Sequence, residues 1–315
     1  MRQLLLPIVW PLFYKLLKIF IRLAIRIFCK SIVVKNKQLL QHKGPLLITA
    51  NHPNSFLDAI IIGSVFKQPI HFLARGDAFN KPWHRKLLGL LQMIPIYRLS
   101  EGKENLHLND DAFLKTKSIL ANNGIVLIFI EGICRHTHQL QPFKKGAARI
   151  AFNCWKENIP VQIMPLTIQY NSLEKFGKQV TLTAMPLLSI KDLSRSDNDE
   201  ARNYLYFNQV IFQQLSASLA QPFIERKNAS AILWLPAMLG KLLHAPLYYP
   251  IKKCVVRKTN GTVYYDSVLF GILLFAYPIY LALILIVLSL FCVCLPIPLL
   301  VFLIHILSAY CASLV

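Results

Sequence analysis

From Val268 to Val315 the chain contains no Asp, Glu, Lys or Arg. A bilayer crossing takes about 20 apolar residues, so this stretch has the length for two. Pro296-Ile297-Pro298 divides it, and the sequence predicts a transmembrane helical hairpin with a proline turn. The turn carries no charge, so a re-entrant hairpin is compatible as well. Lys252, Lys253, Arg257 and Lys258 lie just before the apolar run, which places that side in the cytoplasm. A buried helix pair in a soluble core does not fit so long an uncharged run.

The rest of the chain is unusual in the same direction. Of its 315 residues 55% are hydrophobic and only 16% charged, yet the net charge is +20. Such a basic excess calls for an anionic partner, either nucleic acid or a membrane surface. Apolar segments accompany the basic ones, which selects anionic membrane lipids; the aromatic stacking platforms of a nucleic-acid binder are not apparent. Lys15, Lys18, Arg22, Arg26 and Lys30 fall within an arc of about 120° on a helix, with Leu, Ile and Phe on the remaining surface. This is the pattern of an interfacial amphipathic helix, since charges interrupt every apolar core that a signal peptide or a span would need.

Between these ends the chain alternates short apolar runs with helical patterns. Leu46–Ala50 and Ile125–Ile130 read as buried strands, joined by strands over Ile70–Leu73, Ile94–Tyr97, Val161–Ile168 and Val180–Ala184. Helices are expected over Phe56–Phe66, Asp77–Met93, Asn109–Ala121, Gly146–Cys154 and Glu200–Leu219. The fold class is therefore α/β, a mixed, mostly parallel sheet flanked by helices. The expected organisation is a membrane-interface segment over 1–38, an α/β domain over 39–227, an apolar helical connector over 228–266 and the hairpin over 267–315. The apolar run Ala229–Tyr249 is compatible with core or with a second membrane-contacting surface.

The most informative connection follows the first buried strand, at Asn51-His52-Pro53-Asn54-Ser55-Phe56-Leu57-Asp58. Proline holds the preceding His52 extended at the strand tip. Ser55 and Asp58 have the spacing of a capping box at the start of a helix. A histidine and a carboxylate on one strand-to-helix turn form either a general base with its orienting partner or a loop histidine and a helix cap. The seven cysteines are scattered without a CxxC pair, which fits a reducing compartment. Neither they nor the nine histidines show metal-ligand spacing, so no metal is expected.

Four blocks in chain order resemble the motifs of the glycerol-phosphate and lysophosphatidic acid acyltransferase family. They are Asn51–Asp58; Ile94-Pro95-Ile96-Tyr97-Arg98; Glu131-Gly132-Ile133-Cys134-Arg135 with Pro142–Arg149; and Ile159–Leu166. The chain departs from the family in one place, with five residues between the histidine and the aspartate where most members have four. The resemblance covers roughly 40–190. It implies that His52 is the general base, held by Asp58, and that acyl-CoA or acyl-carrier protein is the donor, with no cofactor. It implies further that Arg98 and Arg135 bind the phosphate of an acceptor lipid, with Glu131, Gly132, Lys144 and Lys145 in the same substrate site. Glycerol 3-phosphate or lysophosphatidic acid is the expected acceptor, at the cytoplasmic face of a bacterial inner membrane. An acyltransferase for another amphiphile, and a membrane-anchored lipid-binding protein without turnover, are the alternatives.

Overall fold

The computed structural model describes residues 2–97, 107–195, 199–223, 225, 231–291 and 296–314. Its centre is a seven-stranded sheet of β1 (Cys29–Lys35), β2 (Leu46–Ala50), β3 (His71–Arg75), β4 (Met93–Ile96), β5 (Ile125–Phe129), β6 (Gln162–Tyr170) and β7 (Lys178–Ala184), in the order β1-β7-β6-β2-β5-β3-β4. Only the β6–β7 pairing is antiparallel. The sheet is thus mixed and mostly parallel, as the alternation of strands and helices implies. Strand β1 is not among the strands the sequence predicts. Ser31–Lys35 pairs in parallel with Gln179–Thr183, so residues 29–35 are an edge strand rather than part of a membrane-interface segment. The β-branched run Ile32-Val33-Val34 carries that signal.

Two hydrophobic layers cover the sheet. On one face, α2 (Phe56–Val65) packs with Ile25 and Phe28 of α1 (Arg2–Phe28) and with Leu269 and Phe270 of α9 (Tyr265–Phe291). On the other, α4 (Leu108–Ala121), α5 (Gly146–Lys156), the single turn α6 (Ile190–Leu193) and α7 (Glu200–Leu219) enclose a second core around Val126, Ile163, Phe207 and Ile211. The helix expected over Asp77–Met93 is shorter. A 3-10 turn, Gly76–Phe79, precedes α3 (Pro82–Leu90), because Pro82 is tolerated only in a first turn.

The basic face of α1 is not wholly given to solvent. Lys18 Nζ donates to the Phe66 carbonyl and Arg22 Nε to the Ser64 carbonyl at 2.6 Å. Both acceptors belong to the C-terminal end of α2, where orphan carbonyls and the helix dipole favour cations.

After the α/β domain come α8 (Trp234–Thr259), α9 and α10 (Pro296–Leu314). Helix α8 packs along α10 so closely that a β-carbon on Gly240 would collide with the Ser308 carbonyl. Tyr280 of α9 donates to the Leu243 carbonyl at 2.7 Å, tying α9 to α8. Tyr265–Leu290 is long and apolar enough to cross a membrane, whereas Pro298–Leu314 is the shorter apolar helix. Among the described residues of the apolar tail, one helix is thus long and apolar enough to span a membrane. Of the apolar run Ala229–Tyr249, residues 229 and 230 lie outside the described residues; the rest is core on one side and open surface on the other, with Ala237 and Gly240 buried and Trp234, Leu235 and Leu242 exposed.

Candidate active site

The site is built at the edge where the parallel strands β2, β5 and β6 end. Ala50 is in register with Phe129 of β5 and with Leu166 of β6. One residue further, the Asn51 carboxamide continues the ladder: its Nδ2 donates to the Ile168 carbonyl at 3.0 Å and its Oδ1 accepts from the Ile168 N–H at 2.9 Å. The exit of β2 is thereby fixed before the chain turns at Pro53. The ring of His52 stacks on Phe129, centroids 3.7 Å apart and planes 9° apart.

The five-residue spacing is accommodated by a bend at Ser55, which takes φ 52° and ψ −141° immediately before α2. Positive φ is uncommon outside glycine, and local strain of this kind gathers at functional turns. Ser55 is the N-cap residue, but its side chain makes no cap hydrogen bond, and the capping box does not form. The Asp58 carboxylate is drawn elsewhere. Its Oδ2 accepts from His52 Nδ1 at 2.9 Å and from the Asn54 N–H at 2.7 Å, and its Oδ1 accepts from Tyr170 at 2.6 Å. Asp58 is 0% exposed and the His52 side chain 17%. A carboxylate can only accept, so the Nδ1 contact assigns the proton to Nδ1 and leaves Nε2 as the basic nitrogen.

Glu131 lies just past Ile130 at the end of β5 and is 3% exposed. Burial pushes its carboxyl up to about 7, the Asp58 carboxylate adding to the rise, while the main-chain N–H groups of Gln141 and His52 oppose it. Cys134, in the same loop, accepts from the Ser55 N–H at 3.0 Å. Burial, then the Asp58 charge, pushes its thiol up to about 12, which excludes a thiolate nucleophile at neutral pH. Gly132 has φ 65°, and a β-carbon there would meet Lys144 Cγ at 2.8 Å. The glycine is required by its turn and by the Lys144 stem lying across it.

The structure therefore brings together His52, Asp58 and Glu131. Arg135 is exposed in the loop beyond Glu131; Lys144 and Lys145 are exposed just ahead of α5. Arg98 lies outside the described residues; β4, which leads to it, ends beside β3 at the same sheet edge. Tyr170 and Phe129 are site residues that the sequence does not single out, and the ladder role of Asn51 is equally hidden there. Each is a strand-end residue that acts across the sheet, and sequence carries no mark of such pairing. An open cleft of about 330 Å³ lies at the exit of β2, lined by Asn51, Pro53, Ile168, Tyr170, Leu219 and Phe223 among others. Among the described residues, no three His, Cys, Asp or Glu side chains converge as a metal site.

Residues 31–169 match the model of the family described as Acyltransferase. This segment is similar to that family. The chain is also 27% identical, over 143 residues, to the "Probable 1-acyl-sn-glycerol-3-phosphate acyltransferase" of Mycoplasma pneumoniae, an alignment covering 44% of this chain and 49% of that protein. The chain thus spans about half the length of this curated relative. Among solved structures it is similar to the 1-acyl-sn-glycerophosphate (LPA) acyltransferase PlsC from Thermotoga maritima. There the TM-score is 0.46 and the identity 18%, over 65% of this chain and 81% of that one. The matched segment begins within β1 and ends within β6, so Tyr170, β7 and the helices α6–α10 lie beyond it.

Proposed function

We propose that this protein transfers a fatty acyl group from the thioester of acyl-CoA or acyl-carrier protein to a hydroxyl of glycerol 3-phosphate or lysophosphatidic acid. The observation that carries the reading is the 2.9 Å contact between His52 Nδ1 and the wholly buried Asp58 carboxylate inside the segment similar to the Acyltransferase family. His52 Nε2 takes the proton of the acceptor hydroxyl as its oxygen attacks the thioester carbonyl. Asp58 stabilises the imidazolium so formed. Collapse of the tetrahedral intermediate expels the thiolate, which recovers the proton from His52. No acyl-enzyme is required, in keeping with the protonated thiol of Cys134.

Arg98 and Arg135 hold the acceptor phosphate in this reading, because guanidinium pairs with phosphate oxygens through two parallel hydrogen bonds. Lys144 and Lys145 add cationic contacts to the same substrate or to neighbouring anionic headgroups. Gly132 shapes the loop they share, and Glu131 positions the base. Helices α9 and α10 insert as a hairpin, with α9 spanning and the basic end of α8 at the cytoplasmic surface. The exposed apolar residues Leu16, Ile19 and Leu23 of α1 rest in the interface.

The test is thiol release from acyl-CoA by the purified full chain, with and without each acceptor. His52→Ala should lower turnover by about 10²- to 10⁴-fold while the protein still fractionates with membranes. Near-normal transfer by His52→Ala removes the assigned base.

A further inference from the structure

We propose that Asp266 and Ser267, the first polar residues of α9, are positioning residues for the catalytic turn, so that turnover depends on the docking of α9. The proposal rests on the acyltransferase reading and goes beyond it, since α9 lies outside the segment similar to the Acyltransferase family.

The contacts are specific. Asn54 Nδ2 donates to Asp266 Oδ2 at 2.7 Å. The Leu57 N–H donates to Ser267 Oγ at 3.0 Å, and Ser267 Oγ donates in turn to the Asn54 carbonyl at 3.3 Å. Asn54 in its turn gives its N–H to Asp58 Oδ2, the oxygen that holds His52. The N-terminus of α9 therefore grips the turn at residues 54 and 57, on both sides of the strained Ser55. The same oxygen, Asp266 Oδ2, is paired with Lys178, the first residue of β7, and both side chains are buried. Phe270, one turn further along α9, meets Phe28 of α1 edge to face at 5.2 Å.

Stability alone is a poor account of this arrangement. A buried ion pair contributes little beyond a well-packed apolar pair, since desolvation offsets the Coulombic gain. Here Asp266 Oδ1 and Asn54 Oδ1 are moreover buried without a hydrogen bond, a cost that a purely structural contact would avoid. What an apolar pair cannot do is accept from Asn54 Nδ2. Lys178 pairs with the carboxylate and holds it in place, and Asp266 holds Asn54 so that its N–H points at Asp58.

Two double variants of the full chain separate positioning from folding. Lys178→Met with Asp266→Leu removes both charges and the acceptor. Lys178→Met with Asp266→Asn removes both charges and keeps an oxygen for Asn54. Neither leaves a lone buried charge, so both should insert and unfold near the wild-type temperature. The first should lose about 10- to 100-fold in kcat, the cost of a small misplacement of catalytic groups, with KM for the acyl donor unchanged. The second should recover most of that kcat.

Ser267→Ala, which deletes one hydroxyl, should also lower kcat at constant KM, and it decides the matter alone if the first double variant does not fold. Wild-type kcat in the Leu variant, equal losses in both double variants, or an unaltered Ser267→Ala would each overturn the proposal. An inactive wild type, or an active His52→Ala, would instead overturn the acyltransferase reading on which it rests.

Discussion

Tyr170 donates its hydroxyl to Asp58 Oδ1 at 2.6 Å from the end of β6, 112 residues away in sequence. Together with His52 Nδ1 and the Asn54 N–H it leaves the buried carboxylate with three donors on two oxygens. Burial, reinforced by the Asp58 charge, holds the Tyr170 phenol well above its usual range, so it stays protonated and remains a donor. A carboxylate fixed from both sides cannot rotate away from the imidazole.

Tyr170→Phe tests this directly. A hydrogen bond to a charged group contributes about 1.5–3 kcal/mol, and the ring itself is kept. Part of that loss should appear as lower thermal stability and part as a fall in kcat of roughly tenfold, equivalent to about 1.4 kcal/mol, with KM little changed. A variant with wild-type kcat shows that Asn54 and His52 suffice to hold the carboxylate.

Glu131 predicts a pH effect whose sign is fixed. Its folded value of about 7 lies above the ordinary 4.5, so the folded state binds the extra proton between these limits. The associated stability is complete below about pH 4.5 and is lost as the pH rises through 7. A shift of this size corresponds to at most about 3 kcal/mol. Glu131→Gln removes the ionisation and keeps an acceptor for the His52 N–H. The wild type should therefore lose more thermal stability than Glu131→Gln between pH 5 and pH 8. Parallel curves for the two proteins rule out a buried, titrating Glu131.

Much of this organisation is legible in the amino-acid sequence. Proline after His52 and the apolar runs that end at Ala50 and Ile130 place His52 and Glu131 at neighbouring strand ends, because parallel buried strands must deliver their C-termini to one edge. Three things are not legible there. Strand β1 pairs with β7 across nearly 150 residues, and its local signal is swamped by the basic helix before it. The side chain of Asp58 prefers an imidazole to the helix end, a competition that spacing cannot resolve. The grip of α9 on residues 54 and 57 joins the two segments that look most independent in sequence, the turn after His52 and an apolar tail.

The membrane reading separates charge from insertion. At 1 M salt the Debye length falls to about 3 Å, which screens the basic face of α1 but leaves an inserted α9 untouched. The full chain should stay with membranes through a high-salt wash and leave only with detergent. Release by salt alone rules out a spanning α9.

Arg98 and Arg135 should matter in proportion to the charge of the acceptor. A phosphate held by two guanidinium groups gains charge-assisted hydrogen bonds of roughly 1.5–3 kcal/mol each. Arg135 is exposed on its loop, where solvent weakens the pairing, so its loss should fall at the lower end of that range. Arg135→Ala should lower kcat/KM for lysophosphatidic acid by about tenfold, and Arg98→Ala by about 10- to 150-fold. Lysine at either position should recover only part, because it restores charge without the planar fork. A monoacylglycerol, which offers the same hydroxyl without phosphate, is the control. It should be a poor acceptor for the wild type and nearly indifferent to both substitutions, since there is no anion to lose. If the two alanine variants depress charged and neutral acceptors equally, the arginines support the fold and the phosphate is held elsewhere.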